Sequence, residues 1–228
     1  MKSILITGSS RGLGKELSMK FSRDKVYIIL QGRDKDKLFQ VREEILKPGW
    51  ANCDLVAGDL RRNETIRNLY DLCEQQDLDI LINNAGVRAS GSLADMSDND
   101  IEDMIEINLL STIRLTKALY PIFVKKKSGL IININSIAGT TPNAEEAVYC
   151  ASKYGMRGFF DSFRFEAKRN NVNILNIYLG AMNTIMAGDR PDKDLLIDPT
   201  EVAAFIHNIV SEYKSFRISE LHLWRENF

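Results

Sequence analysis

Cysteine and histidine are scarce in this chain of 228 residues: three of the former (Cys53, Cys73, Cys150) and two of the latter (His207, His222). The cysteines are odd in number and without CxxC spacing, and neither histidine lies near one. A disulfide framework and a structural zinc are therefore not expected, and a reducing, cytoplasmic setting fits better. An excess of one charge is also missing, since 30 Lys plus Arg face 31 Asp plus Glu for a formal net charge of −1. That balance argues against nucleic acid or an anionic membrane as the main partner. The one basic run, Lys125-Lys126-Lys127, falls where a helix should end, and cations there meet exposed carbonyls. No apolar run approaches the roughly 20 residues that span a bilayer. Ile4-Leu5-Ile6 is too short for a secretory h-region. Repeats, low-complexity tracts and Pro/Gly-rich linkers are lacking too, so residues 1–228 read as one domain with one well-buried core.

What is present is alternation. Short apolar runs at 2–6, 26–30, 55–57, 79–82, 130–134, 172–178 and 218–223 read as strands. Several are nearly continuous in Ile, Leu and Val, as strands covered on both faces should be. Helical periodicity fills the gaps, over about 12–23, 35–46, 62–76, 98–125, 147–170 and 199–213. The order predicts an α/β fold: a doubly wound, Rossmann-type parallel sheet of about seven strands with helices on both faces. Residues 180–198, with Gly188 and Pro191, lack clear periodicity, and a loop this long suits a lid or substrate loop.

Thr7-Gly8-Ser9-Ser10-Arg11-Gly12-Leu13-Gly14 joins the first strand to the first helix. Small residues in that position let backbone N–H groups approach a pyrophosphate at the positive end of a helix. Gly8, Ser10, Arg11, Gly12, Leu13 and Gly14 are therefore expected to hold a dinucleotide. An acidic residue ending the second strand would accept from a free ribose 2′-hydroxyl. The chain instead has Gln31-Gly32-Arg33, with Asp34 one step later. Arg33, helped by Arg11, could pair with a 2′-phosphate, which favours NADP(H) over NAD(H).

Tyr149 and Lys153 stand four apart in a helical stretch, and so share a face with Cβ atoms about 5–6 Å apart. A free tyrosine titrates near 10 and is a poor base at neutral pH. An ammonium about 5 Å away at an effective dielectric of about 20 would stabilise its phenolate by roughly 3 kcal/mol. That is about two pKa units, and a bound oxidised nicotinamide could supply the rest.

Taken together, the glycine turn, Asn83-Asn84-Ala85-Gly86 after the fourth strand, Ser136 after the fifth and Tyr149-Cys150-Ala151-Ser152-Lys153 resemble the short-chain dehydrogenase/reductase family. The resemblance runs over nearly the whole chain in the family's order, including the 13-residue step from Ser136 to Tyr149. It implies catalytic roles for Asn108, Ser136, Tyr149 and Lys153. Tyr149 would give a proton to a carbonyl oxygen or take it back. Lys153 would hold the nicotinamide ribose and stabilise the phenolate, and Ser136 would hydrogen-bond the substrate oxygen. Asn108 would support a proton-relay water from inside the long helix at 101–119, and asparagine, a mediocre helix former, suits such a special position. The resemblance also implies cofactor contacts at Asp59 and Leu60 (adenine), at Asn83, Ala85 and Gly86 (ribose and groove floor), and at Gly180 and Thr184 (nicotinamide side). Leu179 departs from the family's usual proline, whose ring would stiffen that turn.

The implied function is a carbonyl–alcohol oxidoreductase, of carbonyl reductase or 3-oxoacyl-thioester reductase type, acting on a small molecule. The pocket walls expected at 87–93, 137–146 and 181–196 mix Met182, Ile185 and Met186 with Arg88, Glu145 and Glu146, which selects no substrate. No extra substrate domain is expected after the seventh strand. A homodimer or homotetramer is implied, with helices around 101–125 and 147–170 at the interfaces. The competing class is a silent dinucleotide-binding sensor or scaffold, which should lack one of the four catalytic groups, and all four are present.

Overall fold

The computed structural model describes residues 1–188, 192, 195–212 and 217–225. Seven strands form one parallel sheet: β1 (Ser3–Thr7), β2 (Tyr27–Gly32), β3 (Asn52–Ala57), β4 (Ile80–Asn83), β5 (Gly129–Ser136), β6 (Val172–Leu179) and β7 (Glu220–Leu223). Their order in space is β3-β2-β1-β4-β5-β6-β7, so the winding direction reverses between β1 and β4. That reversal opens a crevice at the carboxyl ends of β1 and β4, where α/β sheets of this kind bind ligands.

The apolar runs split cleanly between two cores because successive strand side chains point to opposite faces. Ile4, Ile6, Ile28, Leu30, Ile80 and Ile82 bury one way, against α1 (Gly12–Phe21), α2 (Lys35–Leu46) and α7 (Pro199–Glu212). Leu5, Ile29, Leu81 and Ile131 bury the other way, against α3 (Asn63–Gln75), α5 (Ser111–Lys126) and α6 (Ala147–Arg169). Burial on both sides is what the near-continuous Ile/Leu/Val composition of these strands anticipates.

Most strand ends shift by one or two residues from the sequence expectation, and three differences have a plain physical reading. β3 begins at Asn52 rather than at 55, because Asn52, Cys53 and Asp54 pair through their backbones with Tyr27, Ile28 and Ile29. Tertiary pairing there overrides the weak strand preference of Asn and Asp. β7 is shorter than expected, its ladder starting where Asn176 meets Glu220. The long helix expected at 98–125 is not continuous: α4 (Asp98–Ile105) passes into α5 through a π-helical turn at Glu106–Leu110. Such turns insert one residue into the helical ladder and are frequent at functional sites. The basic run ends α5 as expected, and Lys126 Nζ reaches Asp79 Oδ1 at 2.7 Å and the Asp77 carbonyl at 2.8 Å.

Among the described residues no helix is long and apolar enough to cross a membrane. Phe159, Phe160 and Phe163 pack inward against the α6 side of the sheet, with Phe160 fully buried.

Candidate active site

The site starts where β1 and β4 are bolted together. Thr7 Oγ1 accepts from the Asn84 and Ala85 amides at 2.9 and 3.0 Å, while Asn84 Nδ2 donates to the Thr7 carbonyl at 2.8 Å. Ser9 Oγ donates to the Gln31 carbonyl and accepts from the Gln31 amide, at 3.0 and 2.9 Å, fastening the glycine turn to β2. Gly8 and Gly12 hold φ of 67° and 55°, the left-handed region that glycine enters without penalty. A Cβ on Gly8 would stand 2.9 Å from Ala85 Cα. A Cβ on Gly14 would overlap the Gly8 carbonyl oxygen and lie 2.6 Å from Asn84 Nδ2. The turn thus closes tightly on β4 while no side chain caps the start of α1, leaving its first amides to face the crevice. An anion such as a pyrophosphate fits that donor set.

The crevice is a cleft of about 720 Å³. At one end lie Gly8, Ser10, Arg11, Gly12, Leu13, Arg33, Asp59 and Leu60. Asp34 caps α2, accepting from the Lys37 amide at 3.1 Å and pairing with Lys37 Nζ at 3.0 Å. Arg33 is exposed on the cleft wall and makes no hydrogen bond or ion pair among the described residues. Asp59 is held by Arg61, with Arg61 Nη2 at 2.7 Å and the Arg61 amide at 2.9 Å, and this holds its carboxyl below the ordinary carboxylate range. Arg61 reaches on to Asp103 of α4.

At the other end lie Ala85, Gly86, Ser136, Tyr149, Lys153, Gly180 and Thr184. The Ser136 hydroxyl accepts from the Ala138 amide at 3.1 Å and lies near enough to the Tyr149 phenol to act on its titration. Lys153 Nζ lies 5.7 Å from the centre of the Tyr149 ring and 3.5 Å from the Ile134 carbonyl. Burial governs both titrations. It pushes the Tyr149 phenol up to about 12, against the opposing influence of the Ser136 hydroxyl, with the Glu146 carboxylate adding to the rise. It pushes the Lys153 amine down to about 8. The sequence expectation of a phenol lowered by Lys153 is therefore reversed in the protein by itself: dehydration of the phenolate outweighs the neighbouring ammonium.

Three expected site residues stand behind the wall rather than on it. Gly14 packs under Gly8. Asn83 turns away from the cleft into a buried ladder, donating to Asn133 Oδ1 at 2.9 Å, as Asn133 does to Asn176; its neighbour Asn84 lines the cleft instead. Asn108 sits on the π turn, accepts from the Val87 amide at 2.8 Å, and donates to the Val87 carbonyl and Ser152 Oγ at 2.9 and 3.1 Å. Its side chain thus ties the segment following Gly86 to the helix carrying Lys153. Leu179, in the proline's place, is the last ladder residue of β6 and pairs with Leu223.

Of the expected pocket walls, Arg88, Ile137, Asn143, Glu146, Met182, Ile185 and Met186 line the cleft. Glu145 and Leu93 line a smaller cavity beside it. Residues 189–191, with Pro191, and 193–194 lie outside the described residues. Sequence reasoning missed Arg61, Trp224 and Arg225. The last two line the cleft just beyond β7, and Arg225 Nη1 pairs with Asp192 at 2.6 Å. The signal for them was position, since cleft residues collect at the carboxyl ends of strands.

With this geometry in view, a family model described as short chain dehydrogenase matches residues 2–195. A sepiapterin reductase of Chlorobaculum tepidum is 31% identical, the alignment covering 88% of this chain and 86% of that one. A 3-oxoacyl-(acyl-carrier-protein) reductase of Buchnera aphidicola is 30% identical over 80% of this chain and 74% of its own. Among solved structures, an alcohol dehydrogenase of Thermococcus sibiricus complexed with 5-hydroxy-NADP superposes with a TM-score of 0.90 at 25% identity, covering 98% and 96% of the two chains. A metagenomic short-chain oxidoreductase in complex with NADP superposes with a TM-score of 0.85 at 28% identity, over 97% and 96%.

Proposed function

Because the chain belongs to the short-chain dehydrogenase/reductase family of oxidoreductases, we propose that it interconverts a small-molecule carbonyl compound and its secondary alcohol with NADP(H). One observation carries this reading. The Ser136 and Tyr149 hydroxyls and the buried Lys153 amine share one cleft with the glycine turn that fits a pyrophosphate. When bound, the nicotinamide supplies or accepts the hydride. The protein's own groups handle the proton. Tyr149, protonated at neutral pH, is set up to donate to a carbonyl oxygen, the reductive direction that both named relatives share. Ser136 holds that oxygen and stabilises its developing charge. Lys153, within reach of the phenol face, favours the phenolate left behind and takes part in holding the ribose. Asn108 keeps Lys153 and the Gly86 segment in register, with Gly86 approached by both Asn108 Oδ1 and Lys153 Nζ.

Arg33 supports NADP(H) over NAD(H). Among the described residues its guanidinium makes no hydrogen bond or ion pair: the adjacent carboxylate, Asp34, is committed to capping α2, and the nearby Asp59 is held by Arg61. Asp59, aimed by Arg61, would meet the adenine. Residues 1–228 would act as one dinucleotide-binding and catalytic unit. Self-association through α5 and α6 is part of the same proposal, and Phe165, 72% exposed on α6, would be covered by it.

The test is NADPH consumption with a panel of ketones, diketones and quinones. Consumption with at least one class, and much weaker consumption with NADH, is expected. A protein that binds NADPH and reduces nothing in the panel would be a sensor or scaffold instead.

A further inference from the structure

The substrate half of the cleft contains a charged cluster that the proton-transfer groups do not use. Glu146 is the residue preceding α6, three positions before Tyr149, yet its side chain caps nothing. Its Oε1 accepts from Arg88 Nε at 2.6 Å and from Arg88 Nη2, and its Oε2 accepts from Asn143 Nδ2 at 2.8 Å. The Glu146 side chain is only 10% exposed, against 27% for Arg88. A carboxylate this buried is costly unless every oxygen is paired, and here both are.

Arg88 is not used up by this pairing. A guanidinium has five N–H donors in a planar fork. Glu146 engages the edge formed by Nε and Nη2, and Arg88 makes no other hydrogen bond among the described residues. The end-on edge, with both protons of Nη1, is left on a residue that lines the cleft beside Val87 and Tyr149. The cluster is also close enough for its charges to act on the Tyr149 phenol, Glu146 and Arg88 pulling in opposite directions.

Resting on the carbonyl-reductase reading above, we propose that Arg88, clamped by Glu146 and Asn143, is a second-oxygen site that selects uncharged substrates bearing another acceptor oxygen near the reacting carbonyl. Diketones, keto esters and keto thioesters belong to this class. The donor fork supplies charge-assisted hydrogen bonds to such an oxygen. Glu146 cancels the guanidinium charge, so the cluster gives a substrate carboxylate little net attraction while still donating to a neutral oxygen. Arg88 and Glu146 are separate in their effects: the first sets preference for a second oxygen, the second sets preference for a neutral one.

The experiment compares 1-phenyl-1,2-propanedione with propiophenone, which share a carbon skeleton, in the wild type, Arg88→Met, Arg88→Lys and Glu146→Gln, with NADPH affinity measured for each. The ratio of kcat/KM for the dione to that for the monoketone is expected to fall about ten-fold or more in Arg88→Met, the scale of one hydrogen bond to a charged group. Arg88→Lys, which keeps the charge and loses the fork, should fall between. Glu146→Gln should raise kcat/KM for phenylglyoxylate, an α-keto acid, by about ten-fold as the cluster gains a net positive charge. Ratios unchanged within about two-fold in both arginine variants, with ketones turned over and NADPH bound, would overturn the second-oxygen site alone. If Arg88→Met does not fold, Glu146→Gln decides: no gain on the α-keto acid sinks the proposal. A wild type that binds NADPH and reduces neither ketone overturns the carbonyl-reductase reading, and this inference with it.

Discussion

Replacing Gly14 by Ala should destabilise the protein, although the same change in an open helix would stabilise it. Gly14 lies in the first turn of α1, where alanine is intrinsically favoured over glycine by about 1 kcal/mol. Its added methyl would overlap the Gly8 carbonyl oxygen and stand 2.8 Å from the Gly8 carbonyl carbon, so the obstacle is backbone and not a flexible side-chain tip. Gly8 cannot retreat, because its own Cα already faces the backbone of Ala85. Overpacking of this kind costs about 1–3 kcal/mol and sometimes more, and with rigid backbone on both sides the upper part of that range applies. A net loss of about 1–2 kcal/mol remains after the helix gain, or roughly 2–8 °C in Tm for a chain of this size. Gly158 is the control, taken in the Phe165→Glu background so that self-association through α6 does not cover it: it sits in α6, is exposed in the single chain, and a Cβ there meets nothing within 4 Å. Gly158→Ala should raise Tm by roughly 2–4 °C. Thermal and urea unfolding, followed by circular dichroism, measure both, and NADPH titration should show weakened binding in Gly14→Ala only. Shifts of the same sign in the two variants would refute the tight closure of the glycine turn on β4.

Other outcomes follow from the same geometry. Arg33→Ala should weaken NADPH binding by roughly 10- to 100-fold, the scale of lost hydrogen bonds to a charged group, and leave NADH nearly unchanged by calorimetry; equal losses for both would point away from a 2′-phosphate contact. Asp59 has its carboxyl lowered by Arg61, so the pair contributes stability above the ordinary carboxylate range and loses it as pH falls through the lowered value. Arg61→Leu should therefore flatten the acid side of the stability curve by at most about 1 kcal/mol, since both side chains are partly exposed, and urea midpoints between about pH 2 and 6 would show it. Light scattering after size exclusion should find a dimer or tetramer at micromolar concentration, and Phe165→Glu should shift it toward monomer.

Local chemistry made much of this molecule legible from its sequence. The glycine turn is such a case, because strand, turn and helix start are contiguous and each imposes its own residue types. Tyr149 and Lys153 are another, since helical periodicity alone places them on one face. Less visible were features made by distant partners. Arg88 and Glu146 are 58 positions apart, and nothing in either segment alone announces their pairing. The motif places Asn83 at the groove, but its register opposite Asn133, itself opposite Asn176, draws its amide into the sheet. The repeated Asn within the apolar runs of β4, β5 and β6 was the available hint. The π turn at Asn108 was half-legible: the residue was out of place in a helix, yet helical periodicity does not reveal one inserted residue. The rise of the Tyr149 pKa is not legible in the sequence, because it comes from burial, which only the folded cleft supplies.

The proton-transfer assignment stands or falls on removing one oxygen atom. Tyr149→Phe keeps the ring, its burial and its packing in the cluster with Met104 and Ala138, while Ser136 and Lys153 stay in place. Single-turnover reduction of a ketone that the wild type accepts, with NADPH bound to equal occupancy, should be slower by at least about 100-fold in this variant. A rate within a few-fold of wild type at full NADPH occupancy would show that another group delivers the proton.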